Sequence, residues 1–245
     1  MMNFALNKSA NQSTTLTYNG FNWTADKAVD GNTDGFNPDI SMTCSATAFN
    51  ISFANHTWEV DIGFPIIAKT ITVYGRTDQV DNQLHGVTLY LGNTSGPWNY
   101  GQELSSIHNH YMQYVFKPDN DIARFVSLKR LGCILVICEV TVEGACIHGT
   151  YGSGCKETCG NCYNGNISCL KTDGNCTEGC TMGWHGAICK SKCETGSYGF
   201  NCNETCGHCL KGNNNCSDTN GQCNGGCQPG WTGETCKSAK VSIFI

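Results

Sequence analysis

Short runs of alternating polar and apolar residues, separated by turn-forming residues, characterise the first 145 positions of the chain. The runs are rich in β-branched and aromatic residues, and each predicts a strand with one buried face. We expect strands at Trp58–Ile62, Lys69–Tyr74, Val87–Leu91, Tyr114–Phe116, Arg124–Leu128 and Ile134–Val142. No long segment repeats at the helical period, so helix is expected only in a turn near Ala25–Val29. The pattern predicts an all-β domain, either a sandwich or a barrel.

A different pattern begins at Cys146, where cysteine and glycine replace aliphatic side chains. Sixteen of the nineteen cysteines follow the string C-x8-C-x3-C-x2-C-x6-C-x6-C-x3-C-x8-C, which occurs at 146–189 and again at 193–236. A fixed internal period is the signature of tandem modules. Units with so few aliphatic residues need disulfides to fold, each contributing about 2–4 kcal/mol. We therefore predict a head domain at 3–145 followed by two modules, whose disulfide pairing the sequence leaves open among 105 arrangements for eight cysteines.

Zinc is the alternative use of these cysteines, because a Cys-x2-Cys pair occurs in each repeat. Such a site would need a second pair at matching spacing and a reducing compartment. Ten N-glycosylation sequons, where chance predicts about four, indicate an extracellular chain instead. They lie at Asn7, Asn11, Asn22, Asn50, Asn55, Asn93, Asn166, Asn175, Asn203 and Asn215. We therefore expect disulfides and not zinc.

Charge and hydropathy narrow the function classes further. Residues 1–145 carry eight basic and thirteen acidic residues, which accounts for the whole net charge of −5 and disfavours a nucleic-acid partner. No apolar run approaches the ~18 residues of a membrane span. The start lacks the pattern of a signal peptide, so we expect that a leader was removed or that the gene product is truncated. The chain is expected to be secreted, or to be the ectodomain of a longer membrane receptor.

The two repeats resemble eight-cysteine EGF-like modules of the laminin and multiple-EGF scavenger-receptor kind, over residues 146–236. Calcium-binding EGF modules carry acidic residues just ahead of their first cysteine. Here 143–145 (Glu-Gly-Ala) and 190–192 (Lys-Ser-Lys) stand there, so no calcium is expected in the repeats. The resemblance implies a rigid, protease-resistant stalk or an adhesive spacer that contacts protein partners.

The head resembles F-type lectin domains of the fucolectin–tachylectin–pentraxin group over about residues 3–143. The matching segments are Asn3–Thr14, Ala28–Asn32, Trp58–Ile62, Arg76–Asp78 and Cys138–Val142. The resemblance implies a discoidin-like jelly-roll β-sandwich. It also implies a structural calcium ion and a shallow fucose pocket formed by loops at one end.

Residue chemistry agrees with the implied Ca2+ site. Calcium takes six to eight oxygen ligands, and Asp30 and Asn32 flank a glycine that lets the backbone fold round an ion. The family pattern gives as ligands the side chains of Asp30, Asn32, Thr43 and Glu139 and the main-chain oxygens of Lys27 and Cys138. It also implies a Cys44–Cys138 disulfide that holds the two distant ligand segments together. The alternative is an ordinary Asp-Gly-Asn turn with a surface glutamate.

The implied sugar site is incomplete in this sequence. The family motif is a His, 26 residues, Arg-x-Asp, four residues, then Arg or Lys. Arg76 and Asp78 match its centre, but the neutral Gln83 occupies the last position, and Phe49 or Ala46 stands where the His is expected. Losing charge-assisted donors at ~1.5–3 kcal/mol each predicts an affinity lower by about two to four decades.

Other features of this region leave its role open. The family's adjacent cysteine pair is replaced by Gln79-Val80, and His56, which precedes a strand, is expected to face a loop surface. Arg76 is alternatively a solvated loop charge paired with Asp78. Cys133 has no partner by count, which predicts either a buried thiol or an intermolecular disulfide that makes a covalent oligomer.

Three function classes follow from these observations. The first is an extracellular, calcium-dependent carbohydrate-recognition protein, specific for fucose or another glycan, with an EGF-like stalk. The second is an adhesion, scavenger or engulfment-receptor ectodomain that binds proteins and carries a degenerate lectin head. The third is a discoidin-type head that inserts apolar loop tips into anionic membrane, which the acidic charge balance disfavours. The seven histidines form no catalytic or three-ligand metal motif, so an enzyme is not expected.

Overall fold

The structure is a computed structural model that describes residues 2–35, 42–48, 55–78, 83–96, 113–165, 169–212 and 215–241, together with the backbone of 101–103. The chain divides into two compact units, Met1–Ile147 and His148–Ile245. We call the first unit the head and the second the repeat unit. No helix in the described ranges has the length and apolar character needed to cross a membrane.

The described part of the head is built from strands and one 3₁₀ helix, Ala25–Ala28, at the turn expected near Ala25–Val29. The strands are β1 Ser9–Gln12, β2 Thr17–Tyr18, β3 Phe21–Asn22, β4 Ser45–Ala46, β5 Asn55–Tyr74, β6 Thr88–Gly92, β7 Gly101–Glu103, β8 Gln113–Phe116, β9 Ile122–Leu131, β10 Val136–Ile137 and β11 Glu139–Cys146. The predicted all-β class is confirmed, and the architecture is a discoidin-like jelly-roll β-sandwich followed by disulfide-rich segments.

The long strand β5 organises the sandwich because its two halves have different partners. Its first half pairs with β1 and β9, and β9 continues through β6 to β7. Its second half pairs with β11 on one side and β8 on the other. The pairing with β9 shifts register between Asp61 and Ile66, and Gly63 in that segment has φ +91°. Two predicted strands, Trp58–Ile62 and Lys69–Tyr74, are therefore one bent strand.

Alternation along β5 forms the core. His56, Trp58, Val60 and Ile62 are all buried because residues two apart share one face of a strand. The Trp58 indole N–H donates to the Ala25 carbonyl (3.0 Å), which satisfies the buried donor.

The expectation that His56 faces a loop surface is wrong, because the side chain points into the core with the same parity as Trp58. Its Nδ1 lies 2.8 Å from the Thr47 hydroxyl. Burial and the nearby Arg130 charge lower the pKa of His56. Both effects favour the neutral form of the ring.

The repeat unit contains two copies of the same pair of two-stranded hairpins. The first repeat has β12 Thr150–Tyr151 with β13 Glu157–Thr158, and β14 Trp184–His185 with β15 Ser191–Lys192. The second has β16 Ser197–Tyr198 with β17 Glu204–Thr205, and β18 Trp231–Thr232 with β19 Ser238–Ala239. A second 3₁₀ helix, Phe200–Cys202, precedes β17.

Disulfides follow one pattern in both repeats. The bonds are Cys159–Cys169, Cys162–Cys176 and Cys180–Cys189 in the first, and Cys193–Cys202, Cys206–Cys216, Cys209–Cys223 and Cys227–Cys236 in the second. Cys146 and Cys155 are also disulfide-bonded. Both Cys-x2-Cys pairs are thus oxidised and leave no thiolate for zinc. The third cysteine pairs with the fifth, the fourth with the sixth and the seventh with the eighth, which fits EGF-like modules.

One ring in each repeat covers the disulfides. Tyr151 packs on Gly174 and Tyr198 on Gly221, and a Cβ added at either glycine would lie within 2.5 Å of the ring. Only glycine fits there. Cys133, in the head, is free and exposed, so the buried-thiol interpretation is wrong, while the intermolecular disulfide stays a prediction.

Candidate functional site

Glu139 lies at the centre of the candidate calcium site, as the first residue of β11. The resemblance implies a disulfide between Cys44 and Cys138, and the structure contains it. Pairing of β10 with β4 brings these cysteines together across 94 residues of chain. Glu139 follows the bridge directly and is fully buried.

The Glu139 carboxylate is incompletely satisfied. The Gly31 N–H donates to its Oε2 (3.2 Å), but its Oε1 is buried without a hydrogen-bond partner. Burial, with a smaller contribution from the Asp30 charge, raises the pKa of Glu139 to about 7. An orphaned buried oxygen in a native fold calls for a partner such as an ion or water.

Asp30 and Asn32 form a compact turn beside this carboxylate. The Asn32 N–H donates to Asp30 Oδ1 (2.9 Å), and the Asp34 N–H donates to Asn32 Oδ1 (3.0 Å). Gly31 between them has φ +88°, a conformation that glycine adopts at low cost. The turn therefore presents the Gly31 N–H and the Asp30 charge to Glu139.

The remaining predicted ligands are placed less directly. Thr43 is buried, with its hydroxyl 3.8 Å from Cys44 Sγ, next to the bridge. Lys27 lies in the 3₁₀ helix, three residues before Asp30. Among the described contacts, none joins the Lys27 carbonyl or the Asn32 side chain to Glu139.

The donor set fits a hard cation. It combines two carboxylates with amide, hydroxyl and main-chain oxygens, which is the chemistry that calcium prefers. The described residues contain no group of three or more His, Cys, Asp or Glu side chains arranged to hold a metal. Neutral oxygens would therefore complete the coordination of an ion held by Asp30 and Glu139, and the unpartnered Glu139 Oε1 is the observation that fits one.

Arg76 and Asp78, the predicted sugar anchors, form a bidentate ion pair. The Arg76 Nε–H donates to Asp78 Oδ1 (2.9 Å) and an Nη2–H to Asp78 Oδ2 (2.8 Å). The side chains are only 9% and 13% exposed, and the guanidinium lies 5.8 Å from the centroid of the Trp23 ring. The pairing with Asp78 that the alternative expected is present, but the pair is not solvated: Arg76 is fixed by its carboxylate partner and by an aromatic face.

The chain after the Asp30 turn braces the Arg76 segment. The Thr77 N–H donates to the Gly35 carbonyl (2.9 Å), and a Cβ at Gly35 would lie 2.3 Å from the Gly75 carbonyl oxygen. From the other side, the Cys138 N–H donates to the Tyr74 carbonyl (2.8 Å). Both ligand-bearing segments of the candidate calcium site thus contact the backbone that carries Arg76.

Gln83 presents the second unpartnered oxygen. Its Oε1 is buried without a hydrogen-bond partner. Ala46, one position considered for the family histidine, is buried in β4. The other, Phe49, and the Gln79-Val80 pair lie outside the described residues.

A β-hairpin that the sequence reasoning missed lies next to Trp23. It pairs β2 with β3, and its tip has φ +50° at Asn19 and +80° at Gly20, as a two-residue type I′ turn requires. Tyr18 and Phe21 flank the tip and are 48% and 46% exposed. The Asn-Gly dipeptide between two aromatics was the available signal.

Comparisons with known proteins bear on the head alone. No family model matches the chain, and no curated protein matches its sequence. Among solved structures, the lectin domain of lectinolysin complexed with Lewis B antigen has 27% identity and a TM-score of 0.51, covering 59% of this chain and 97% of its own. A histidine mutant of the lectin binding domain of lectinolysin, complexed with Lewis b, has 27% identity and a TM-score of 0.50, covering 58% and 95%.

A third structure, an F-lectin (fucolectin) from the serum of Morone saxatilis (striped bass), has 25% identity and a TM-score of 0.48, covering 58% of this chain and 48% of its own. The head is therefore similar in structure to the lectin domain of lectinolysin.

Proposed function

We propose that the chain is an extracellular lectin whose head binds fucosylated glycans through Arg76, with a bound calcium ion shaping the site and the two repeats serving as an EGF-like stalk. The observation that carries the proposal is the buried Arg76–Asp78 pair. The likeness of the head to lectinolysin's Lewis-antigen-binding domain supports it.

Asp78 serves to orient the Arg76 guanidinium. It accepts from two of the five N–H donors, and the Trp23 ring lies against the guanidinium. A guanidinium held this way donates to sugar hydroxyls without first losing rotamer freedom, and charge-assisted bonds are the strong ones. Arg76 is thus the principal anchor.

Gln83 contributes a neutral amide at the last position of the motif. Its buried Oε1 has no partner, and a sugar hydroxyl that donates to it would remove that cost. An amide provides less than the cation it replaces, so we expect binding weaker than that of a site with two cations and a histidine.

Calcium has an indirect part in this proposal. Glu139 and Asp30, with oxygens from Thr43, Asn32, Lys27 and Cys138, would hold the ion. Bound calcium would supply positive charge that keeps the Glu139 carboxylate ionised. Gly35 and Cys138 form backbone hydrogen bonds with Thr77 and Tyr74, which lie on either side of Arg76, so the ligand segments would set the position of Arg76 without touching sugar.

A glycan array of the full chain, secreted from an oxidising host and probed with calcium or with chelator, tests the proposal. We expect fucosylated glycans to bind and Arg76→Ala to abolish binding. Arg124→Ala is the matched control, because Arg124 forms the same bidentate pair with Asp61 on a strand outside the site. Glycan binding that is the same with calcium and with chelator would support the lectin proposal but contradict the role it gives to calcium.

A flat array from a folded chain would contradict the lectin proposal and favour the protein-binding ectodomain. Binding to phosphatidylserine vesicles instead of glycans would favour a membrane-inserting head, with Tyr18 and Phe21 as its exposed apolar tip. The same preparation, tested on both surfaces, separates these outcomes.

A further inference from the structure

The two repeats are joined by a specific junction in which the second is seated on the first. The Cys180 N–H donates to Asn201 Oδ1 (2.7 Å), and the Gly183 N–H donates to the Gly199 carbonyl (3.0 Å). The Phe200 ring packs edge-on against Tyr163, with centroids 5.0 Å apart. The second repeat therefore inserts a Phe-Asn pair into the first.

The receiving surface is shaped to admit that pair. A Cβ added at Gly179 would lie 2.7 Å from the Asn201 amide nitrogen and 3.1 Å from the Phe200 ring. Cys180 is fully buried beneath it. Any side chain at Gly179 would block the junction.

The second repeat carries the same receiving surface, shifted by the 47-residue period. We call Leu210, Gly226, Cys227 and Gly230 the docking face; they correspond to Tyr163, Gly179, Cys180 and Gly183. The Leu210 N–H donates to the Gly226 carbonyl at 2.9 Å, the distance from the Tyr163 N–H to the Gly179 carbonyl. Gly226 and Gly179 have φ of +91° and +86°. The second repeat thus has the same backbone geometry at these positions as the receiving surface of the first repeat.

What differs is that the docking face is uncovered in the described chain. Beyond the immediate chain neighbours, no described atom lies within 4 Å of a Cβ built at Gly226 or at Gly230. Cys180 and Gly183 are buried in the existing junction, whereas Cys227 is only partly buried and Gly226 and Gly230 are exposed.

We propose that the docking face seats a further eight-cysteine module, one that presents an aromatic residue and an asparagine directly before its second cysteine. The partner's chemistry follows from the existing junction, since the same backbone groups receive Phe200 and Asn201 one period earlier. This interaction surface is independent of the lectin proposal.

A second copy of this chain does not fit as the occupant. The first repeat has Ser153 and Gly154 at the positions of Phe200 and Asn201, so it lacks the inserting pair. The second repeat has the pair, but in every copy it is already seated on the first repeat. Only a module outside the two described here is equipped to insert.

The test adds such a module to the full chain. Residues after Ala239 are replaced by a copy of residues 193–236, which keeps the three-residue spacer found between the repeats. Hydrogen exchange of the Cys227 amide is then measured by NMR. One new hydrogen bond in a packed junction should slow that exchange about tenfold, and the same slowing is expected at the Cys180 amide, which already donates to Asn201.

Two variants keep the result interpretable. An appended copy that carries the changes Phe200→Ser and Asn201→Gly should fold but leave the Cys227 amide fast. In the chain without the addition, Asn201→Gly should speed exchange at Cys180 only; glycine suits that position because Asn201 has φ +53°.

Three results would overturn the proposal. The first is unchanged Cys227 exchange with the intact appended module, and the second is equal slowing with the altered one. The third is protection of Cys227 in the unextended chain that increases with protein concentration, which would assign the docking face to a second copy.

Discussion

The head and the repeat unit are stabilised by different means. The head buries aliphatic and aromatic side chains on alternating positions of β5 and its neighbours, and the Cys44–Cys138 disulfide supplements that apolar core. The buried clusters of the repeats consist of cysteines with an aromatic ring packed on them. Core packing tolerates varied loops better than a disulfide framework does, which agrees with the location of the candidate binding residues in the head.

Polar groups show the same contrast. Among the described residues, two buried side-chain oxygens lack a hydrogen-bond partner, Gln83 Oε1 and Glu139 Oε1, and both belong to the head. Such groups are costly unless a ligand or ion satisfies them. In the repeat unit, backbone N–H groups of the first repeat are instead bonded by the second repeat.

Removal of disulfides should have the largest effect on stability, and that effect should differ between the head and the repeats. Replacing Cys162 and Cys176 by Ala should unfold the first repeat, because losing a native bridge from a small domain costs about 2–5 kcal/mol. Replacing Cys44 and Cys138 by Ala should lower the melting temperature of the head but leave it folded on its apolar core. Hydrogen exchange of the Val60 amide reports whether the head is folded, and exchange of the Tyr151 amide reports whether the first repeat is folded. Loss of Val60 protection in the second variant would mean that the head, too, depends on its bridge.

Calcium should act on the head and not on the repeats. At a calcium concentration 100 times Kd, the head should gain about 2.7 kcal/mol of unfolding free energy, a rise of about 5–10 °C in Tm. Glu139→Gln should abolish that rise, whereas Glu143→Gln, on the same strand, should keep it. Calorimetry with calcium and with chelator measures both variants. An equal rise in Tm in both variants would show that Glu139 is not a calcium ligand.

The fold was largely predictable because the residues of a half-buried strand alternate between apolar and polar, and that alternation is visible in the sequence. The predicted strands Lys69–Tyr74 and Arg124–Leu128 lie within β5 and β9. The predicted break between Trp58–Ile62 and Lys69–Tyr74 was wrong, since Gly63 and its neighbours interrupt the alternation without ending the strand. The two-residue strands β2 and β3 are too short to show any period.

Predicting the site required tertiary information that the sequence does not carry. A resemblance named Arg76, Asp78 and Glu139, but the burial of the ion pair and of the carboxylate depends on segments as distant as Trp23 and Gly31. His56 was misplaced because its position before a predicted strand suggested a loop, although its parity with Trp58 places it inward.

The exposed hairpin should affect binding without affecting stability. Tyr18→Ala should weaken glycan binding about tenfold. The reason is that packing an aromatic ring on the apolar face of a sugar buries area worth about 1.4 kcal/mol. An exposed residue should change the free energy of unfolding by at most about 0.5 kcal/mol. Titration calorimetry and urea unfolding on the same variant separate the two effects. Tyr163→Ala, at a tyrosine of the repeat unit that is 55% exposed, is the control that should leave binding unchanged.

The smallest effect is expected from pH, again in the head. Because burial lowers the pKa of His56, the unfolded chain takes up a proton below about 6.5 before the folded chain does. The contribution of His56 to the free energy of unfolding should therefore decrease as the pH falls from 7 toward 5, and it is fully present only above its unfolded pKa. Because the raised pKa of Glu139 acts in the opposite direction over the same range, the slope is measured in Glu139→Gln chains with and without the His56 change. His56→Gln, which retains a polar partner for the Thr47 hydroxyl, should be less stable at pH 7 but flatter over this range. Urea midpoints followed at the Val60 amide measure the slope, and an equally steep slope in the variant would assign the pH dependence to other groups.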